Sequence, residues 1–167
     1  KEDGSLEMAI PYNDEAHLLT NNYYSVLKRQ TLLEKKLIKE ERHQQYWDVL
    51  QKWLDKGYIK EIVDSNPAEK RKVYLFHFHV LKDSISTPLR PVMDAKAKLP
   101  IAYNSVVETG PDFQNLLFDI LIEFRIHNTG FIADVSSMYS CLHLPESQWD
   151  LNRFMFRPPG EKDWKIF

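Results

Sequence analysis

The sequence predicts an α+β protein, in which helices are interspersed with strands that read as antiparallel. Three observations predict this class. Residues 21–56 carry apolar side chains at helical spacing. Residues 73–81 and 89–94 form two β-branched and aromatic runs separated by a turn-rich loop. A further helical stretch, 112–127, precedes short apolar runs at 131–135 and 153–157. Hydrophobic residues make up 43% and aromatics 13% of the 167 positions, enough for one sizeable core and too many for a disordered chain.

The elements follow in order. Residues 1–20 are read as an extended arm whose first fifteen residues hold five acids and one lysine with few periodic apolar positions. Residues 21–167 form the folded unit, with 21–65 mainly helical. Asn21 or Asn22 caps a first helix, on which Tyr23, Val26, Leu27, Leu33 and Leu37 share a face. A second helix is marked by Tyr46, Val49, Leu50, Trp53 and Leu54 at i, i+3, i+4, i+7 and i+8, with Gly57 just past its end. Tyr58–Val63 is a short strand candidate, and Asn66-Pro67 marks a turn. Val73–Leu81 reads as a strand, and the loop through Thr87-Pro88 leads to a second strand over Leu89–Asp94, making a hairpin. After Gly110-Pro111, the residues Phe113, Leu116, Leu117, Ile120, Leu121 and Phe124 keep one helical face. Phe131–Val135 and Arg153–Arg157 are expected as short buried strands.

Composition removes several function classes. The formal charge of −2 gives no global basic field, which counts against an autonomous nucleic-acid-binding domain. A local basic face survives, because Lys28–Lys72 holds twelve Lys/Arg against eight acids. Cys141 is the only cysteine, so no intrachain disulfide can form and an intracellular setting is expected, nucleus and cytoplasm not being distinguished. No apolar run reaches membrane-spanning length and no signal peptide is evident. The chain begins at Lys1, as expected of a piece of a longer polypeptide. His77 and His79 alternate with Phe76, Phe78 and Val80 and so share one strand face. A His-x-His pair needs a second ligand pair to hold zinc, and Cys141 and His143 are isolated, so both are read as strand histidines.

Four segments, in order and suitably spaced, resemble the reverse transcriptases of BEL/Pao-class LTR retrotransposons. YLFHFHVLK (Tyr74–Lys82) is similar to their first fingers strand, and LRPVMDAKAK (Leu89–Lys98) to its partner. YNSVVETGPDFQNLLFDILIEFR (Tyr103–Arg125) resembles the element leading into the next helix. FIADVSSMY (Phe131–Tyr139) is similar to the palm motif that carries the first catalytic aspartate. Asn152, Arg153, Phe154, Phe156 and Arg157 extend the likeness, which is close over residues 70–160 and looser over 1–65.

The resemblance implies a fingers-like hairpin and the first part of a palm. It makes Asp134 a vestigial metal-ligand aspartate, with the Val135 carbonyl near the metal. Lys82 and Arg90 become contacts to an incoming triphosphate and Tyr139 the steric gate. Nucleotidyl transfer needs two divalent ions clamped by paired carboxylates. No Asp-Asp pair occurs in the 167 residues, so the second catalytic motif is expected to be missing and the isolated chain to be no enzyme and to need no cofactor. Mg2+ would enter only within an intact polymerase. Phe76 stands where the family has Pro, Phe78 where it has His, Pro91 where it has an apolar strand residue, and Ser137 where it has a basic residue. Losing that last charge weakens the triphosphate side.

Two functions compete. One is a domesticated module that binds a protein, as a homodimer or heteromer, or binds RNA. The other is the N-terminal piece of a Pol protein, active in RNA-directed DNA synthesis on RNA/DNA when joined to its palm and thumb. An independent nuclease would need further acids around Asp134, and the sequence has none. If the Asp134 strand lacks its neighbour, its edge should seek a partner, with Phe131, Val135, Trp149, Phe154, Phe156 and Trp164 as anchors.

Overall fold

A computed structural model describes residues 6–64, 66–69, 71–83, 88–98, 100–135 and 137–167. The elements are β1 (Leu6–Glu7), α1 (Tyr23–Lys39), α2 (His43–Asp55), β2 (Phe76–Leu81), β3 (Leu89–Asp94), α3 (Leu117–Ile126), β4 (Leu142–His143), β5 (Met155–Phe156) and β6 (Lys165–Ile166), with short 3-10 turns between them. The class is α+β. The expected loop at Thr87-Pro88 lies partly outside the described residues.

Both N-terminal helices form for the reasons their sequences suggest. Asn21 accepts the Tyr23 N–H at 2.9 Å, while the Asn22 side chain instead brackets Tyr74, accepting from its N–H at 2.8 Å and donating to its carbonyl at 2.9 Å. One side chain thus ties the start of α1 to the approach of β2. Each helix ends in a Schellman motif. Tyr58 N–H donates to the Trp53 carbonyl and Gly57 N–H to that of Leu54, with Gly57 at φ 69°. In α1 the corresponding left-handed residue is Glu41, at φ 57°, where a side chain is a burden.

α1 buries Val26, Gln30, Glu34 and Leu37, and α2 buries Tyr46 and Leu50. Glu34 is tolerated inside because Arg157 grips it with two donors, Nε at 2.7 Å and Nη2 at 2.5 Å. The hairpin β2–β3 is antiparallel, with His77 opposite Met93 and Val80 opposite Arg90. Its inner face meets α1 and α2, and beyond it residues 73–75 bond to 150–153, β5 pairs with β6, and Ile62 bonds to Ile166. Tyr58–Val63, expected as a strand, contributes only that single bridge. Phe154 stacks on Phe167, and Phe156 on Tyr46 and Trp47, so the core closes around aromatic rings.

The arm is not free. β1 runs parallel to β4, Tyr12 bridges Val107, and the Gln148 side chain clamps both the N–H and the carbonyl of Ile10 at 2.8 and 2.9 Å. The Tyr12 and Tyr103 hydroxyls meet at 2.5 Å, and Asn152 accepts from Tyr103 at 2.6 Å. Described residues 6–20 are therefore docked, with a 3-10 turn over Asp14–Leu18, rather than a purely extended arm.

The main departure is over residues 111–135. The helix expected over 112–127 begins only at Leu117, because Leu116 just before it is extended, at φ −61° and ψ 130°. Residues 131–135, expected as a buried strand, are not a strand at all and lie exposed. A strand persists only where a neighbour takes up its backbone groups, and among the described residues none does so here.

Candidate functional site

The residues singled out by the resemblance are scattered over three kinds of backbone. Lys82 and Arg90 lie on the β2–β3 hairpin. Val80 pairs with Arg90, and Lys82 is two residues on, so both cations leave the same outer face, beside the half-exposed Phe78, Val80 and Val92. Asp134 and Val135 lie in the strandless run 131–135, and Asp134 makes no hydrogen bond or ion pair among the described residues. Tyr139 is on a 3-10 turn over Met138–Cys141 and is 82% exposed. Among the described residues no group of three or more His, Cys, Asp or Glu converges to hold a metal.

The expected partner anchors divide. Phe131 is 88% exposed and Val135 63%. Trp149 and Trp164 are half-buried, the first donating its indole N–H to the Leu144 carbonyl at 3.0 Å and lying under Lys60, the second lying under Arg157. Phe154 and Phe156 cannot serve as anchors in this fold. They are 4% and 2% exposed, because β5 is an interior strand whose rings fill the core.

What stands out is a continuous exposed apolar run. α3 reads Leu-Phe-Asp-Ile-Leu-Ile-Glu-Phe-Arg-Ile, apolar on nearly every side, and none of its residues is buried. Phe113 before it, and Phe131 and Ile132 after it, are more exposed still. A helix apolar all round normally sits inside a protein. A cavity of about 330 Å3 has walls that include Trp53, Tyr58, Trp149, Phe154, Phe167 and Tyr139. The sequence suggested neither the cavity nor its aromatic walls, which come from four distant parts of the chain.

Two buried polar nodes also escaped the sequence reading. His77 sits between the Tyr46 hydroxyl, 2.5 Å from Nδ1, and the Met155 carbonyl, 2.8 Å from Nε2. The carbonyl can only accept, so Nε2 carries the proton and Tyr46 donates to Nδ1. Burial holds the His77 pKa down at about 4, despite the Met155 carbonyl, which favours the charged form. His79 is also lowered by burial, against the pull of Glu40 3.1 Å away. The second node joins Asp64 to Lys72 and Arg153. Burial acts to raise the Asp64 pKa, but hydrogen bonds from Lys72, the Asn66 N–H and Arg153 hold it at about 2. Both nodes bind core elements together, and neither faces an open site.

Comparison with protein-family models, curated proteins and solved structures finds no match for this chain. No described helix is long and apolar enough to cross a membrane.

Proposed function

We propose that this chain is a reverse-transcriptase-like fragment of retrotransposon origin, catalytically incomplete by itself, whose fold serves as a protein-binding module with RNA as a secondary ligand. The observation that carries the binding role is the apolar run centred on α3, which nothing among the described residues covers. Exposed contiguous apolar surface of this kind marks an interaction site. The lineage is supported by the four motif segments in register and by a hairpin over 76–94 where the fingers are expected. The non-catalytic part of the reading rests on the sequence, which has no Asp-Asp pair and has Ser137 where the family has a basic residue. A second reading is favoured by Asp134 itself lying within the exposed run. The surface would then be covered by the remainder of a Pol protein, and Mg2+-dependent RNA-directed DNA synthesis would appear on joining.

Two experiments test this. The purified chain, given a primer–template, deoxynucleotides and Mg2+ or Mn2+, should extend nothing. Template-dependent incorporation that disappears in Asp134→Ala would overturn the non-catalytic reading. Hydrogen exchange on the dilute chain should show rapid exchange at 117–126. A dilute monomer whose amides there are strongly protected would mean that the surface is satisfied internally, and the binding role would fall.

A further inference from the structure

We propose that the partner of the α3 surface is a second copy of this chain, which receives α3 on the outer face of its α1. The inference rests on the reading of α3 as a docking surface and adds the identity and register of the occupant.

The outer side of α1 carries Tyr24, Lys28, Leu32, Lys35, Ile38 and Lys39, all exposed and within one stripe of the helix. The stripe is apolar and cationic, with no acid in it, and among the described residues none of the three lysines has an ion-pair partner. It is the opposite side from Val26, Gln30, Glu34 and Leu37, which face the core, so it is open in the folded chain.

The α3 run has the complementary chemistry. Between 112 and 134 it holds four carboxylates and one arginine, a net charge of −3 with His127 neutral. Asp119 and Glu123 are exposed, without an ion-pair partner among the described residues and one helical turn apart, flanked by Ile122 and Ile126. Lys35 and Lys39 have the same spacing on α1. Like charges at i, i+4 repel and weaken a helix. Laying α3 against a partner's α1 turns both repulsions into attractions across roughly 6 Å repeats of matching length. α1 is roughly 25 Å long and α3 roughly 15 Å, so the shorter helix fits within the longer stripe. Pairing α3 with another α3 would instead set carboxylate against carboxylate.

Area points the same way. The exposed apolar side chains between Phe113 and Tyr139, four of them phenylalanines, offer on the order of 1,000 Å2. A stable interface needs roughly 800 Å2 per partner. In a two-fold dimer each copy donates its α3 and receives the other, so the contact is made twice.

The test is a charge swap on the whole chain. The wild-type protein should dimerise in sedimentation equilibrium, with a dissociation constant that rises as salt is added. Lys35→Glu/Lys39→Glu and Asp119→Lys/Glu123→Lys should each weaken dimerisation at least tenfold. Mixing the two variants one to one should restore a heterodimer, since every α1–α3 contact is then again between opposite charges. Combining all four changes in one chain should restore the homodimer. Should a reversed variant fail to fold by circular dichroism, Lys35→Gln/Lys39→Gln and the salt dependence of the wild type serve in its place. A dimer indifferent to these changes, or no recovery on mixing, overturns the α1–α3 contact. A chain that stays monomeric while 117–126 exchange rapidly overturns the second-copy occupant and leaves the docking surface for a different protein. A monomer with those amides protected removes the docking surface itself. An oligonucleotide that binds the Lys35/Lys39 face of a strictly monomeric chain likewise overturns the proposal.

Discussion

Acidification should unfold this protein through His77. The imidazole is 4% exposed, enclosed by Phe154 and Phe156, and held neutral between a hydroxyl donor and a carbonyl acceptor. Protonating Nδ1 would turn the Tyr46 hydroxyl from donor to acceptor and bury a cation among rings. The folded pKa, about 4, lies below the ordinary 6.5. The unfolded chain therefore takes up the proton first, and the stability is fully present above pH 6.5 and drains away as pH falls toward 4. At about 1.4 kcal/mol per pH unit over that span, the loss is about 3 kcal/mol, a large part of a typical domain's stability. Urea unfolding at intervals from pH 8 to 4 measures it. His77→Gln keeps a donor for the Met155 carbonyl and cannot titrate, so its free energy should lie below wild type at pH 7 yet fall less steeply by up to one proton's worth of slope. His79 is lowered in the same direction and supplies part of the remaining slope. An unchanged slope between pH 6.5 and 4 in His77→Gln would refute the assignment.

Three further outcomes are expected. Arg157→Ala leaves Glu34 buried without its double donor, and should cost about 3 kcal/mol in chemical denaturation at pH 7. Glu41→Gly relieves a side chain at φ 57° in the α1 terminus and should raise stability by about 0.5–1 kcal/mol, read as a rise in Tm. Single-stranded RNA should bind weakly, with an association constant that falls steeply as salt rises if the exposed Lys52, Lys56 and Lys60 carry phosphate contacts. Triple substitution of these lysines by Gln should flatten that salt dependence, measured by fluorescence anisotropy.

The local elements were legible because their causes are local. The i, i+3, i+4 recurrence of Tyr46 through Leu54, the Gly57 terminus, and the alternation in Val73–Leu81 each depend on neighbours within a few residues, and α1, α2 and the hairpin follow them closely. The placing of His77 and His79 together on one strand face was likewise a matter of period two. Other features depended on who lies opposite. The apolarity of Phe131–Val135 and of Arg153–Arg157 looks alike in sequence, yet the second pairs with Lys165–Ile166 and is buried while the first finds no partner and stays exposed. Hydrophobicity drives a segment to be covered without saying by what, and that choice rests on contacts between residues far apart in the chain. For the same reason Phe154 and Phe156 read as anchors in sequence but are core, and what holds the Glu34 carboxylate inside is Arg157, 123 positions away. By itself, the sequence determined α1, α2, the hairpin and the uneven charge. Only the tertiary structure decided which apolar residues are satisfied, and it left α3 as the helix whose need for burial the described residues do not meet.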